Sequence, residues 1–176
     1  STNGVKALPK EGFKDFSVLI SLFGGGSLDD DLRAIKPNGN SFSGLFETAL
    51  KNYKYDPRAH FIFAVTEDGI AHIEETVRKI SENGNTVSVN FYSKYGTSDP
   101  LRTKYEKRLL DEILRVRELF PETLASHPYY IEAMVTGKSH WGDFGYDVCP
   151  SVSVDHPQNA ERIKNGNAVL PGFNAY

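Results

Sequence analysis

Three short runs of branched and aromatic residues, Ser17–Phe23, roughly His60–Thr66 and Thr86–Tyr92, are separated by stretches whose apolar residues recur every three or four positions. No feature of the chain constrains its fold more. Strands joined through intervening helices pair in parallel, because each crossover brings the chain back to the same end of the sheet. The alternation predicts an α/β chain with a barrel or an open sheet. Between the first two strands, Phe42, Leu45, Phe46, Ala49, Leu50 and Tyr53 trace one helical face, with Ser41 as its expected cap. Ile70, Ile73, Val77 and Ile80 trace the next, which Asn83-Gly84-Asn85 ends. A long helix is predicted from about Arg102 to Phe120, and a further short one over Thr123–Val135. From Gly137 onward only Val148–Val154 is strand-like.

The first strand runs into Gly24-Gly25-Gly26, and Asp29-Asp30-Asp31 then open a short helix ending near Ala34. In a parallel sheet this is the kind of junction where ligands bind, since strand ends and helix N-termini converge there. Ser21, Thr66 and the segment Asn90 to Tyr92 would share that edge. For each of them, closing a turn is the simpler role, so their coincidence matters more than any one residue. The three glycines match neither a Walker loop nor the Gly-x-Gly-x-x-Gly spacing. Acids in a first helical turn are favoured by the helix dipole without any metal. Arg33, one turn on, is placed either to be held by Asp29 or to reach a carboxylate ligand.

With 176 residues, 39% hydrophobic and 24% charged, the chain has the size and composition of a soluble globular protein. A formal charge of -3 argues against a general nucleic-acid binder, and no run is apolar and long enough to span a membrane. The single cysteine, Cys149, cannot form an internal disulfide and points to a reducing, cytoplasmic setting. His60, His72, His127, His140 and His156 lack metal-ligand spacing and read as structural, and no nucleophile elbow is present.

Taken in order, these segments resemble the radical S-adenosylmethionine enzymes, particularly those with a cysteine-bearing extension of the SPASM or twitch type. Thr2-Asn3-Gly4 is similar to the end of that family's third strand. Ile20-Ser21-Leu22-Phe23-Gly24, followed by Asp30 and Arg33, is similar to its fourth, with Phe23 where an Asp is usual. Gly39-Asn40-Ser41-Phe42 resembles the segment opening the next helix, Phe63-Ala64-Val65-Thr66 the fifth strand, Glu82-Asn83-Gly84 a helix end, and Val87–Tyr92 the sixth strand. Cys149 stands where the extension's first cysteine falls, ahead of Asp155.

The resemblance implies a partial TIM-type (β/α) barrel of which this chain is roughly the second half, residues 1–136, followed by the start of the extension, residues 137–176. It implies that Ser21 and Arg33 contact the ribose or methionine carboxylate of S-adenosylmethionine, that Thr66, Asn90 and Tyr92 lie near the adenosine, and that Cys149 ligates a second cluster. The implied chemistry is reductive cleavage of the cofactor at a 4Fe–4S cluster to a 5′-deoxyadenosyl radical, which abstracts hydrogen from a substrate. The family's three-cysteine motif and its Gly-Gly-Glu motif are not in this sequence. Three thiolates hold that cluster, so the chain by itself is expected to be inactive. A half-barrel also leaves an open edge, to be covered by the missing N-terminal half or by self-association. Two other readings stand beside this one: a non-catalytic α/β module binding a nucleotide or small anion at Gly24–Gly26 and the Asp29 helix terminus, and a structural or interaction fragment without a ligand.

Overall fold

The computed structural model describes residues 1–36, 38–91 and 101–136. Three strands, β1 (Val18–Phe23), β2 (Ala59–Val65) and β3 (Thr86–Phe91), form a parallel sheet in the order β1-β2-β3. Helices α1 (Leu28–Arg33) and α2 (Leu45–Asn52) connect β1 to β2, and a 3-10 turn with α3 (Ile73–Glu82) connects β2 to β3. Helices α4 (Leu101–Leu119) and α5 (Pro128–Thr136) follow. The register places Ser21 opposite Ile62 and Phe23 opposite Ala64 on one side of β2, with Ser88 opposite Ile62 and Asn90 opposite Ala64 on the other.

Both outer edges carry one more parallel bridge. Thr2 pairs with Ile20, its N–H donating to Leu19 at 2.8 Å and its carbonyl accepting from Ser21 at 2.9 Å. Leu124 pairs with Val87 beyond β3. Five parallel positions therefore lie side by side in chain order. The second bridge corrects the expected helix over Thr123–Val135. Leu124 is fully buried as an extended residue beside β3, and the helix starts only at Pro128, where a missing N–H costs nothing.

The two faces of the sheet differ. Val18, Ile20 and Leu22 of β1, Phe61, Phe63 and Val65 of β2, and Val87 and Val89 of β3 are buried in one hydrophobic core. That core also takes Phe46, Ala49 and Tyr53 at α2, Ile73, Val77 and Ile80 of α3, and Leu109, Ile113 and Val116 of α4. Strand alternation sends the intervening residues the other way. Leu19 is 40% exposed, Ser21, His60, Ile62, Ala64, Thr86 and Ser88 are half-buried, and Asn90 is exposed. No described helix buries this second face.

The start of the chain is tied down by side chains from the β2 side. Arg58 donates to the carbonyls of Leu8, Pro9 and Phe13 at 2.9–3.0 Å while Asp56 holds it at 2.7 Å. Tyr53 bonds Lys6 and Leu8 through its hydroxyl. Among the described residues no helix is long and apolar enough to cross a membrane.

Candidate functional site

The C-terminal ends of the three strands converge as the sequence pattern requires, and the sheet brings several of the predicted residues to that edge. Ser21 and Asn90 share the face that no described helix buries, with Asn90 two residues nearer the edge in the register. The Ser21 hydroxyl makes no hydrogen bond among the described residues, whereas its backbone is held on both sides, by Thr2 and by Arg33. Tyr92 and Cys149 lie outside the described residues, as do the strand-like run Val148–Val154 and the proposed extension.

Arg33 is the most constrained of the predicted residues. Its Nε and Nη2 donate to the two carboxylate oxygens of Asp29 at 2.9 Å each, and Nη2 also donates to the Ser21 carbonyl at 2.6 Å. The guanidinium lies 5.1 Å from the centre of the Phe23 ring, a cation–π arrangement. Asp29 is fully buried and accepts the Phe23 N–H at 2.7 Å. Burial pushes its carboxyl up from the ordinary value of 3.8, against the opposing pull of the Phe23 N–H and of Arg33. Of the two placements open to Arg33 in the sequence, the structure has the first. The pair clamps the tip of β1.

The other acids also have structural work. Asp30 accepts N–H groups from Gly44 at 2.6 Å and Leu45 at 2.8 Å, so it caps α2 from a distance. Ser41, the expected cap, instead bridges antiparallel to Ile35. Asp31 is exposed. Gly24, Gly25 and Gly26 all have φ between 54° and 78°, a left-handed run that residues with a side chain avoid. At Gly25 a Cβ would stand 2.5 Å from Thr76 Oγ1 and 2.9 Å from the Phe63 ring, so the glycine lets the loop close over the core. Thr66 accepts the Gly69 N–H at 3.1 Å and thereby starts the 3-10 turn.

Beside Gly26 a cavity of about 330 Å³ is lined by Asp30, Glu47 and Glu75 together with His72 and Lys79. Lys79 is paired with Glu47 at 2.9 Å and Glu75 at 3.4 Å, and Asp30 is held by its α2 cap, so the charged groups lining this cavity are engaged with one another or with backbone. Among the described residues no group of three or more His, Cys, Asp and Glu side chains is gathered for a metal ion.

One polar cluster on the face that no described helix buries has no counterpart in the sequence reading. His60 of β2 reaches across to β3, with Nδ1 2.7 Å from Thr86 Oγ1 and Nε2 2.8 Å from Ser88 Oγ. Burial lowers its pKa below the ordinary 6.5. The signal was present in the sequence: His60, Thr86 and Ser88 fall on the polar phase of their strands. Only the register joins them. In comparisons with protein-family models, with curated proteins and with solved structures, nothing matches this chain.

Proposed function

We propose that this chain is the second half of a parallel (β/α) barrel of the radical S-adenosylmethionine type, whose uncovered sheet face lines the pocket for that cofactor. The observation carrying the reading is the strand order. Thr2, β1, β2, β3 and Leu124 stand side by side in chain order, all parallel, with the helices packed on one face. A doubly wound sheet reverses its order at a switch point, whereas a barrel progresses in one direction and keeps its helices outside.

In this reading the half-buried Ser21 hydroxyl meets the ribose or the methionine carboxylate. Arg33 fixes the Ser21 carbonyl and offers Nη1 to the same carboxylate, and Thr66, Asn90 and Tyr92 border the adenosine. Bound there, the cofactor supplies the 5′-deoxyadenosyl group that becomes the hydrogen-abstracting radical. The residues present do not fit the 4Fe–4S cluster that reduces it. The chain has one cysteine and the cluster needs three thiolates. No redox step is assigned to this chain, and Cys149 stays a proposed ligand of a second cluster. The open face and strand edge are to be covered by a segment carrying the remaining strands or by a second copy. A reducing, cytoplasmic setting goes with a single cysteine.

Titration calorimetry of the full chain with S-adenosylmethionine and with ATP tests the reading. Saturable heat is expected with the first and not the second, and Ser21→Ala weakens it about 2–10-fold, the worth of one hydrogen bond. Equal binding of ATP would favour the nucleotide or anion module. Heat with neither would favour a structural fragment, in which Ser21, Arg33 and Thr66 only close turns.

A further inference from the structure

We propose that Ser88 is a nucleophile activated by His60, and that the uncovered face of the sheet accepts an acyl group from small activated esters. The inference stands on the β2–β3 register and does not depend on the cofactor reading. A hydroxyl, an imidazole within hydrogen-bond reach and a third group orienting the imidazole are the three parts of an activated serine. Here the distances are 2.8 Å from Ser88 Oγ to Nε2 and 2.7 Å from Nδ1 to Thr86 Oγ1. When Nδ1–H donates to Thr86, the Nε2 lone pair faces the Ser88 hydroxyl. The flanking positions on this face, Leu19, Ser21, Ile62 and Ala64, carry no charge, and burial favours the neutral imidazole, which has a lone pair free to accept a proton. Ser88 is half-buried, on the face that no described helix covers.

Thr86 orients the ring without the negative charge that a carboxylate would bring, so the imidazolium formed during attack lacks a counter-charge. The structure therefore assigns a slow acylation rather than a fast turnover. In the step, Ser88 Oγ bonds to the ester carbonyl carbon and its proton passes to His60 Nε2. The carbon–oxygen bond to the leaving group breaks, its electron pair leaves with the phenolate, and His60 returns the proton to the phenolate or to water. Water then hydrolyses the acyl-serine.

The test is incubation of the full chain with p-nitrophenyl acetate, following nitrophenolate release and locating the acetyl group by peptide mass spectrometry. Acetylation at Ser88 is expected, absent in Ser88→Ala and present again at the same position in Ser88→Cys. His60→Gln should slow it at least about 100-fold, the usual worth of a general base, and Thr86→Val about tenfold, through loss of one orienting bond. The wild-type rate should fall with acidity through a pKa below 6.5. Circular dichroism of each variant checks that the sheet has formed. Acetyl groups found only on lysine or tyrosine, no adduct at all, or an unchanged rate in a folded His60→Gln would each overturn the proposal.

Discussion

Removing the Asp29 carboxylate measures the clamp at the tip of β1. Asp29 is fully buried and accepts from the Phe23 N–H and from two nitrogens of Arg33. Asp29→Ala leaves a guanidinium without its counter-charge and a backbone N–H without an acceptor. Breaking a buried pair from one side costs about 3–5 kcal/mol. The Arg33 side chain is 21% exposed and recovers some hydration, which lowers the expectation to about 2–4 kcal/mol. In a domain of this size that is a fall in Tm of roughly 5–15 °C. Arg33→Met should cost less, because burial already pushes the Asp29 carboxyl upward and lets it take a proton once its partner is gone. Urea and thermal melts of the two single variants and the double variant at pH 7 form the cycle, with a coupling above about 1 kcal/mol expected. A loss below about 1 kcal/mol for Asp29→Ala, or simple additivity, would refute the clamp.

Asp30→Ala should destabilise by about 1 kcal/mol, since the first N–H groups of α2 lose their acceptor; an unchanged urea midpoint would show that water replaces the cap. Arg58→Ala should release the segment before β1, read as faster tryptic cleavage after Lys6, Lys10 and Lys14 while the core still melts cooperatively. Arg58 holds the Asp56 carboxyl below 3.8, so the stability this pair supplies is present above that pH and is lost as pH falls from 3.8 through the folded pKa. His60 has the same sign at higher pH. Its folded pKa lies below 6.5, the unfolded chain binds the extra proton, and stability should decline as pH falls from 6.5 through the folded value. His60→Gln should flatten that part of the profile in thermal melts from pH 7.5 to 4.5.

The strands were legible because their signal is local. Val18, Ile20 and Leu22, like Phe61, Phe63 and Val65, alternate with less apolar residues, and helices of suitable length between them leave only parallel pairing. What the sequence did not carry is which partner a polar side chain finds across the fold. Asp29, Asp30 and Asp31 are chemically identical neighbours, and the dipole argument treats them alike. In the structure one is a buried ion pair, one caps a helix fourteen residues further on, and one faces water. Rotation of about 100° per residue around α1 separates them, and what each then meets is set by where β1 and α2 lie. Arg58 gave no signal for the same reason, since its carbonyl acceptors are 45 to 50 residues away. The misread stretch Thr123–Val135 fits this pattern too. Leu124 and Ile131 are both buried, and apolar spacing alone cannot tell an extended residue on a sheet edge from a helix, whereas Pro128 at a helical first position can. The candidate site divides along the same line. That Ser21 and Asn90 reach one edge of one face follows from strand phase. That the Ser21 hydroxyl has no partner among the described residues while Arg33 is bound to both Asp29 and the Ser21 carbonyl follows only from the packing of α1 against β1, which strand phase does not carry.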